Sequence, residues 1–516
     1  MTRRTSALAG ASAAVLAVLA VLSGCSLVED ATGGDRGPAA TVTPQGPPPG
    51  SESLAAFYGQ RLAWSDCEGA ECTRLRVPVD YDAPNGETIE LAVVRVPAKR
   101  PSSRLGSLVV NPGGPGGSGV DYARGADFIV GAGVRQAYDI VGFDPRGVQR
   151  SAPIDCVSDR DLDAFLGGDP TPDDAAEQQQ LAAAARSFAQ GCGRSGALVG
   201  HVSTVEVAKD MDVLRAALGE EKLTFLGKSY GTFLGTTYAD LFPAQVGRMV
   251  LDGVIAPDLT AAEVNLGQAQ GFEQATRAWA AYCVEEGDCP FGRSVDRVME
   301  GLRTFLASVD ENPLPRTGDG AVPRLTEGWA TLGIAAAMYD QGKWQSLVDA
   351  LRQGLDGDGT ALMQLANQYA DRNPGGQYAG NIMEAIYAVN CLDKPEDADL
   401  AERRRLADEA VETAPTWGRF LMWSTLPCGT WPTPATGEPR TVSAEGAAPI
   451  VLIGTTRDPA TPYQWAVRLR EQLASASLIT FDGDGHTAYT RSNSCVDEAV
   501  DAYYLEGTQP RDGLRC

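Results

Sequence analysis

The chain has 516 residues, of which 43% are hydrophobic and 21% are charged, an ordinary balance for a soluble globular protein. Its formal charge of −24 at pH 7 argues against a nucleic-acid partner, because nucleic-acid binding needs clustered Lys and Arg. A chain of this length fills one large core or two, since domains longer than ~250 residues tend to split.

Residues 1–24 have the pattern of a lipoprotein signal peptide. Two arginines precede an apolar run from Ala7 to Leu22. The following Leu22-Ser23-Gly24-Cys25 resembles a bacterial lipobox, in which cleavage precedes the cysteine and its sulfur receives a diacylglyceryl group. The alternative is an ordinary cleaved signal peptide with an incidental cysteine. We expect the signal peptide to direct export and lipidation of Cys25 to hold the protein on the outer face of the cell membrane.

Residues 25–52 predict a flexible tether, because they are rich in Gly, Pro, Thr and Asp and have little to bury. Residues 53–257 follow as the first part of a core in which strands alternate with helices. Helices are predicted over Val205–Leu218 and from just after Ser229 to about Phe242. Strands are predicted at Leu75–Val79, Ile89–Val96, Ser107–Asn111, Tyr138–Asp144, Leu223–Gly227 and Val246–Leu251.

The alternation stops over residues 258–447, which predict an inserted α-helical cap. Amphipathic runs mark it at Glu263–Glu285, Arg293–Ser308 and Trp344–Leu355. Residues 448–516 return to the core pattern, with strands at Pro449–Gly454 and Leu478–Phe481 and a closing helix at Val496–Leu505. The order predicts an α/β fold with a mostly parallel sheet, helices on both faces and a large helical cap.

The cysteine count is typical of an exported protein. Eleven cysteines are present, and the ten that follow Cys25 can form five disulfides in an oxidising compartment. Ten cysteines allow hundreds of connectivities, among which we expect sequential local pairing: Cys67–Cys72, Cys156–Cys192, Cys283–Cys289, Cys391–Cys428 and Cys495–Cys516. The sequence has no cysteine–histidine cluster with metal-binding spacing, so we expect neither a metal nor a cofactor.

The segment Gly227-Lys228-Ser229-Tyr230-Gly231 matches G-x-S-x-G, the pattern of a nucleophile elbow. In such an elbow the serine occupies a sharp, strained turn between a strand and a helix, and its oxygen projects above the sheet. The motif occurs by chance in many chains, but here it follows an apolar strand and precedes a predicted helix. That context indicates that Ser229 is a nucleophile.

A serine nucleophile needs a base, and the chain has two histidines, His201 and His486. In hydrolases with this elbow the partners follow in the order Ser, Asp, His along the chain, which selects His486. His201 fits a solvated or capping role. The orienting acid should follow the preceding strand, as Asp458 does. Asp482 and Asp484 are rivals, although their closeness to His486 in sequence favours a role in stabilising the loop.

An oxyanion hole requires two N–H donors aimed at the developing negative charge. The Tyr230 amide is expected to be one of them. The other should come from the glycine-rich loop after the strand at Ser107–Asn111, through Gly113 or Gly114. Such a loop could instead hold a phosphate, but the Lys-Ser/Thr pair or third spaced glycine of a phosphate loop is missing.

Together these motifs resemble those of the tripeptidyl aminopeptidase family of secreted actinobacterial α/β-hydrolases, which are related to proline iminopeptidases. The resemblance covers nearly the whole mature chain. One departure is Gln149, where the family pattern Asp-x-Arg-Gly-x-Gly-x-Ser has glycine. The motifs that carry the resemblance are Asn111–Gly119, Asp144–Gly147, Gly227–Thr232, Val250–Val254, Asp458–Pro462, Gly485-His486 and Ser494-Cys495.

The resemblance implies an exopeptidase that releases short peptides, typically tripeptides, from the free N-termini of oligopeptides. Such an enzyme must recognise the substrate ammonium, and cap carboxylates are the natural partners, because a desolvated ammonium needs a paired charge. Glu384 and Asp393 are the candidates, each against the alternative of a solvated surface acid.

The sequence is compatible with two other functions. The same catalytic residues could serve a carboxylesterase or lipase, because a fold and a triad do not select the substrate. The chain could also be a binding lipoprotein that keeps the fold without catalysis. The presence of Ser229, Asp458 and His486 together argues against that second alternative.

Overall fold

In a computed structural model that describes residues 43–287 and 289–516, the chain folds around a ten-stranded sheet. Strand order is β1-β2-β3-β5-β4-β6-β7-β10-β11-β12. The first three strands and β5 pair antiparallel, and every pairing from β5 to β12 is parallel. The strands are β1 (Ser65–Cys67), β2 (Ala70–Pro78), β3 (Thr88–Val96), β4 (Gly106–Asn111), β5 (Tyr138–Phe143), β6 (Leu223–Lys228), β7 (Val246–Asp252), β8 (Leu314–Pro315), β9 (Arg324–Leu325), β10 (Ile450–Arg457), β11 (Ala476–Asp484) and β12 (Leu514–Arg515).

The central strands are buried on both faces because helices cover the sheet on both sides. In β4, Leu108 and Val110 point into one apolar layer, while Val109 points into the other. Such strands read as continuous apolar runs, which is why the sequence pattern located them. The predicted α/β-hydrolase architecture with a mostly parallel sheet is confirmed.

Helices fill the intervals between the strands. Among the described residues, none of them combines the length and the apolar character needed to cross a bilayer. The helices are α1 (Ala55–Tyr58), α2 (Gly119–Arg124), α3 (Ala126–Ile129), α4 (Ala132–Ala137), α5 (Asp159–Leu166), α6 (Ala175–Cys192), α7 (Thr204–Ala217), α8 (Tyr230–Leu241), α9 (Ala261–Glu285), α10 (Val295–Glu311), α11 (Glu327–Met338), α12 (Trp344–Leu355), α13 (Thr360–Ala370), α14 (Ile382–Asp393), α15 (Leu400–Thr413), α16 (Gly418–Ser424), α17 (Tyr463–Gln472) and α18 (Ser494–Glu506).

The interval expected to form a cap contains α9 to α16 and the two-stranded sheet β8–β9, a small sheet that the helical pattern did not predict. Helices α5 and α6, inserted between β5 and β6, also contact this region. The Arg372 guanidinium pairs with Asp163 of α5 at 2.6 Å, and the Thr171 hydroxyl donates to Glu327 of α11. The cap is therefore supported by a second insertion that the sequence analysis did not identify.

Disulfide bonds, predicted from the cysteine count, are confirmed. The ten cysteines of the described part pair in sequence as Cys67–Cys72, Cys156–Cys192, Cys283–Cys289, Cys391–Cys428 and Cys495–Cys516. Two of these bonds close loops within the cap. The predicted signal peptide and Cys25 lie outside the described residues.

The carboxyl ends of four parallel strands meet at one edge of the sheet. Ser229 directly follows β6, and Asp458 directly follows β10, which extends to Arg457. His486 lies two residues after β11, and Gly113 lies two residues after β4. Ligands of open α/β sheets bind beyond such carboxyl ends, so this edge is where a site is expected.

Candidate active site

The backbone at Ser229 is strained. This residue has φ 56° and ψ −125°, and it is the N-cap of α8. A positive φ is unfavourable for a residue with a side chain and is found mainly where function requires it. The turn is tight enough to exclude a side chain at Gly227, whose Cβ would lie 2.2 Å from the Gly231 carbonyl oxygen. Ser229 consequently stands at a helix N-terminus, which favours developing negative charge.

His486 and Asp458 are in direct contact. The Nδ1 atom of the imidazole lies 2.8 and 3.0 Å from the two carboxylate oxygens of Asp458. Backbone N–H groups of Ala460 and Thr461 also donate to that carboxylate, at 3.0 and 2.9 Å. Because a carboxylate only accepts hydrogen bonds, this contact places the imidazole proton on Nδ1 and leaves Nε2 as an acceptor.

The Nε2 atom of His486 is buried and has no hydrogen-bond partner among the described residues. Ser229 and His486 both contact the carboxyl end of β7. The Ser229 N–H donates to the Asp252 carbonyl at 2.9 Å, and a Cβ built on Gly253 would lie 3.3 Å from His486 Cε1. The free Nε2 is the atom that a serine proton would reach, and such contacts often tighten only when substrate binds.

A buried ion pair fixes the loop that carries His486. The Lys228 ammonium donates to the Tyr489 carbonyl at 2.6 Å and lies 3.5 Å from the Asp252 carboxylate. That carboxylate accepts the N–H groups of Ala488 and Tyr489, each at 2.9 Å. Burial lowers the pKa of Lys228, and the Asp252 charge opposes the shift. We call Lys228 and Asp252 the loop clamp, because together they join the elbow, β7 and the histidine loop.

Sequence reasoning did not identify the loop clamp. Lys228 occupies a variable position of G-x-S-x-G, and Asp252 ends an apolar strand. A charged residue directly after an apolar run, at the predicted carboxyl end of two neighbouring parallel strands, was the signal that could have found both.

The geometry distinguishes the two glycines proposed for the oxyanion hole. The Gly113 N–H donates to the Asn111 side chain at 3.0 Å, whereas the Gly114 N–H makes no hydrogen bond to another described residue. Gly114 also lines a cavity together with Ser229 and Tyr230. The arrangement favours Gly114 as the second donor.

Gly113 has a different role: its lack of a side chain lets the glycine-rich loop approach the nucleophile elbow. Its φ is 98°, and a Cβ there would lie 2.6 Å from the Lys228 carbonyl oxygen and 2.8 Å from Ser229 Cβ. A side chain at this position would push the loop away from Tyr230 N, which lies 3.1 Å from the same point.

Ser229 opens into a cavity of about 230 Å³ between the sheet and the cap. Its lining is mainly apolar and aromatic, and it includes Phe233 from α8 and Phe272, Leu332, Tyr387 and Phe420 from the cap. Three charged residues line it, namely Asp393, Lys394 and Glu396. A small apolar cavity with few polar groups is suited to binding a compact ligand in a fixed orientation.

The two cap carboxylates predicted to bind the substrate amine have different surroundings. Glu384 is absent from the cavity lining, and its Oε1 accepts the N–H groups of Cys156 and Val157 at 2.8 and 3.1 Å. Its contacts hold the segment before α5 against α14. Burial raises the pKa of Glu384 to about 7. Asp393 lines the cavity, so the geometry favours it over Glu384 as a ligand for an amine.

Asp393 is bound to Thr204, whose N–H and hydroxyl donate to it at 2.8 and 2.5 Å. The Thr204 hydroxyl oxygen is also 2.6 Å from the Tyr230 hydroxyl. Burial raises the pKa of Asp393 to about 6. Within the described part of the chain no Lys, Arg or His lies within ion-pair distance of this carboxylate, so it keeps the capacity to bind a cation.

Glu396 is a cavity residue that sequence reasoning missed. Its carboxylate pairs with the Arg403 guanidinium at 2.6 Å and accepts the Thr425 hydroxyl at 2.8 Å. The Arg403 guanidinium thus neutralises the charge of Glu396. Of the two carboxylates in the cavity lining, Asp393 is the one that forms no ion pair with a described residue. The position of Glu396, three residues after the candidate Asp393, was the signal that could have located it.

The hydrogen bonds of His201 connect it to neither Ser229, Asp458 nor His486. Its Nδ1 lies 2.9 Å from Glu206, and its carbonyl accepts from the buried Arg146 guanidinium.

Gln149, the departure from the family pattern, has φ 46°, a conformation that glycine adopts more easily. Its N–H donates to the cap residue Asn381 at 2.9 Å, which holds the loop in this shape.

Among the described residues, two groups of side chains elsewhere have ligand atoms within 4.8 Å of one another, a spacing that a metal ion could bridge. Neither group contains a residue of the cavity lining. They are Asp80, His201 and Glu206, and Asp169, Asp310 and Glu327.

The chain is similar to known proteins over most of its length. The family profile described as "TAP-like protein" matches residues 414–516. The chain is 40% identical over 484 residues to "Serine protease Hip1" of Mycobacterium tuberculosis, covering 89% of this chain and 91% of that protein. It is 38% identical over 467 residues to "Carboxylesterase B" of the same organism, covering 88% and 87%. It is 34% identical over 484 residues to "Tripeptidyl aminopeptidase" of Streptomyces lividans, covering 90% and 88%.

Proposed function

Because this chain belongs to the tripeptidyl aminopeptidase family of serine hydrolases with the α/β-hydrolase fold, we propose that it is an exopeptidase acting on oligopeptides. It releases short peptides, tripeptides above all, from free N-termini. The observation that carries the proposal is the cavity that contains both Ser229 and the unpaired carboxylate of Asp393. An exopeptidase needs a nucleophile and an amine-binding group in one closed space.

The reaction follows from the site's geometry. Ser229 Oγ attacks the scissile carbonyl carbon while His486 Nε2 accepts the serine proton, and Asp458 stabilises the imidazolium. The N–H groups of Tyr230 and Gly114 bind the oxyanion. When the C–N bond breaks, His486 gives its proton to the leaving amine, and an acyl-enzyme remains on Ser229. Water, activated by His486, then hydrolyses the ester and restores the serine.

Asp393 provides the selection for a free N-terminus. A buried carboxylate without a cationic partner gains an ion pair when an ammonium enters, and it gains nothing from a blocked, neutral N-terminus. Lys394 follows Asp393, and its charge partly offsets the rise in the pKa of Asp393, but its ammonium donates to the Leu259 carbonyl at 2.5 Å and lies over the Phe233 ring rather than forming an ion pair with the carboxylate.

Blocking the substrate amine should greatly slow hydrolysis. We expect the mature protein to hydrolyse an Ala-Ala-Pro chromogenic amide, and its N-acetylated form at least about 100-fold more slowly in kcat/KM, because the acetylated substrate cannot pair with Asp393. The measurement is the release of the chromophore at pH 7. Equal rates on the free and blocked amides would defeat the aminopeptidase proposal.

Asp393→Asn is the matched variant for this experiment, since it keeps the size and its amide oxygen can still accept the Thr204 N–H. It should raise KM for the free amide and bring the two substrates closer together. Because the pKa of Asp393 is about 6, the wild-type KM should rise as the pH falls below that value and the carboxyl becomes neutral. The variant should lack this rise.

Gly113→Ala should impair the chemical step. The added Cβ would displace the loop that carries Gly114, so kcat should fall about 10²- to 10³-fold with little change in KM, the size of effect seen when one oxyanion donor is lost. Steady-state kinetics on the same amide measure it. Gly318→Ala is the control, because Gly318 has φ 82° but open space around its Cβ position. A kcat within twofold of wild type for Gly113→Ala would contradict the oxyanion assignment.

A carboxylesterase is the second candidate, favoured by the apolar cavity lining and by the relative named "Carboxylesterase B". Both activities use the same serine and histidine. Efficient hydrolysis of nitrophenyl butyrate, with no hydrolysis of the peptide amide, would select the esterase.

For localisation we propose export and anchoring to the membrane through a lipid on Cys25, with the catalytic part facing outward. The signal-like segment 1–24 and the five disulfides support this placement. Oligopeptides outside the cell would then be the substrates.

A further inference from the structure

A second, polar depression lies between the cap and the core next to His486. It has a volume of about 470 Å³. The cap contributes Tyr339 to Gly342, and the core contributes Arg457, Phe481 to Thr487, Arg491 and Ser492. We call this depression the histidine-side groove.

The groove adjoins the cavity at the catalytic residues. Ser229 lines the cavity, His486 lines the groove, and Tyr339 lines both. The Tyr339 ring stands edge-on to the imidazole with the ring centres 5.2 Å apart, and the His486 N–H donates to the Tyr339 carbonyl at 3.0 Å. The catalytic pair therefore stands at the boundary between an apolar and a polar space.

The direction of the reaction assigns different parts of the substrate to these spaces. The acyl part stays on Ser229, while the leaving amine receives its proton from His486 and must lie on the histidine side. The cavity contains Ser229 and the Asp393 carboxylate proposed to bind the substrate amine, so the acyl part occupies it. A longer leaving segment needs another place.

We propose that the histidine-side groove binds the polypeptide segment that follows the scissile bond. The inference rests on the proposed peptidase function and names the second half of its substrate site. The ligand is an extended peptide, recognised through its backbone rather than through apolar side chains.

The chemistry of the groove fits a peptide backbone. The hydroxyls of Thr487 and Ser492 are buried without a hydrogen-bond partner in the described part of the chain, so they can bond to peptide groups. The charges are balanced locally, because Arg457 pairs with Asp484 at 2.7 Å. No large apolar pocket is present among the lining residues, which predicts tolerance of many leaving sequences.

One ion pair crosses from the core to the cap at this groove. The Arg491 guanidinium lies 3.3 Å from Asp340, and both side chains are more than 40% exposed. Exposed pairs contribute little to stability, so a bound peptide can displace this contact at small cost.

Gln341→Trp tests the proposal, because Gln341 is exposed, belongs to the groove lining and can carry a large side chain into it. Two substrates share one tripeptide acyl group: a chromogenic amide, and a peptide with four further residues. We expect the ratio of kcat/KM for the peptide over kcat/KM for the amide to fall about tenfold. Gln345→Trp is the control, an exposed glutamine outside the groove, and it should leave both values unchanged.

An unchanged ratio for Gln341→Trp in a folded protein would overturn the groove assignment and leave the peptidase proposal standing. Failure of the wild-type enzyme to cleave either substrate would instead overturn the peptidase proposal. A second measurement needs no variant: with wild-type enzyme, kcat/KM should increase as the leaving segment grows from one residue to three. Independence from that length would also reject the groove.

Discussion

Ser229→Ala should lower kcat on the tripeptide amide by at least about 10⁴-fold while leaving the fold intact. The variant removes the atom that forms the acyl-enzyme, and the oxyanion donors and the cavity can supply only the residual rate. The fold should be unaffected, because Ser229→Ala keeps the backbone N–H that donates to the Asp252 carbonyl. Chromophore release measures the rate, and circular dichroism with thermal unfolding checks the fold.

His486→Ala is the companion variant, and the pair should act as a unit. Each single change should lose nearly as much activity as the double change, since neither residue works without the other. A loss below tenfold for either single variant would mean that the catalytic residues are wrongly assigned.

Asp252→Ala should destabilise the protein by about 3–5 kcal/mol, because it leaves the buried Lys228 ammonium without its counter-charge. It also leaves the N–H groups of Ala488 and Tyr489 without their acceptor. The histidine loop loses its attachment to β7, so activity should fall as well. The measurement is the free energy of unfolding in guanidinium chloride with the disulfides intact.

Two further variants identify the cause of that loss. Asp296→Ala removes the carboxylate of an exposed ion pair with Arg277 and should cost at most about 1 kcal/mol. Lys228→Met combined with Asp252→Asn removes both buried charges and should be less destabilised than Asp252→Ala alone. If Asp252→Ala lowered the free energy of unfolding no more than Asp296→Ala does, the loop clamp would not stabilise the fold.

The strands and the order of the catalytic motifs could be predicted from the sequence because each depends on local pattern. β4, β6 and β10 are apolar runs buried on both faces, and each ends in a motif that leaves the sheet at the same edge. The chain-order rule for the elbow then selected His486 from two histidines and Asp458 from several acids. These inferences needed no knowledge of distant contacts.

The features that sequence reasoning missed depend on contacts between distant parts of the chain. Glu384 lies 228 residues from the Cys156 N–H that it accepts, so no local pattern reveals that its carboxylate is already engaged. The loop clamp joins the ends of two strands to a loop more than 230 residues away. The Gly113 amide is occupied by Asn111 through a side-chain contact that spacing alone does not predict.

In the cap, too, features set by local sequence pattern were predicted, and contacts between distant segments were not. The helices α9, α10 and α12 matched amphipathic runs, because each buries one face against its neighbours. The support from α5 and α6 was not predicted, since it depends on the insertion between β5 and β6 folding onto the cap. The assignment of residues 258–447 to the cap stays a prediction about boundaries.

Labelling with a fluorophosphonate probe, followed by peptide mapping with mass spectrometry, tests most directly whether Ser229 is an activated nucleophile. The probe reacts with a serine only when a base such as His486 can take its proton. We predict one adduct, on Ser229, formed rapidly in the wild-type protein and lost in His486→Ala. A folded, peptide-cleaving protein whose adduct maps to another serine, with Ser229 unmodified, would contradict the account.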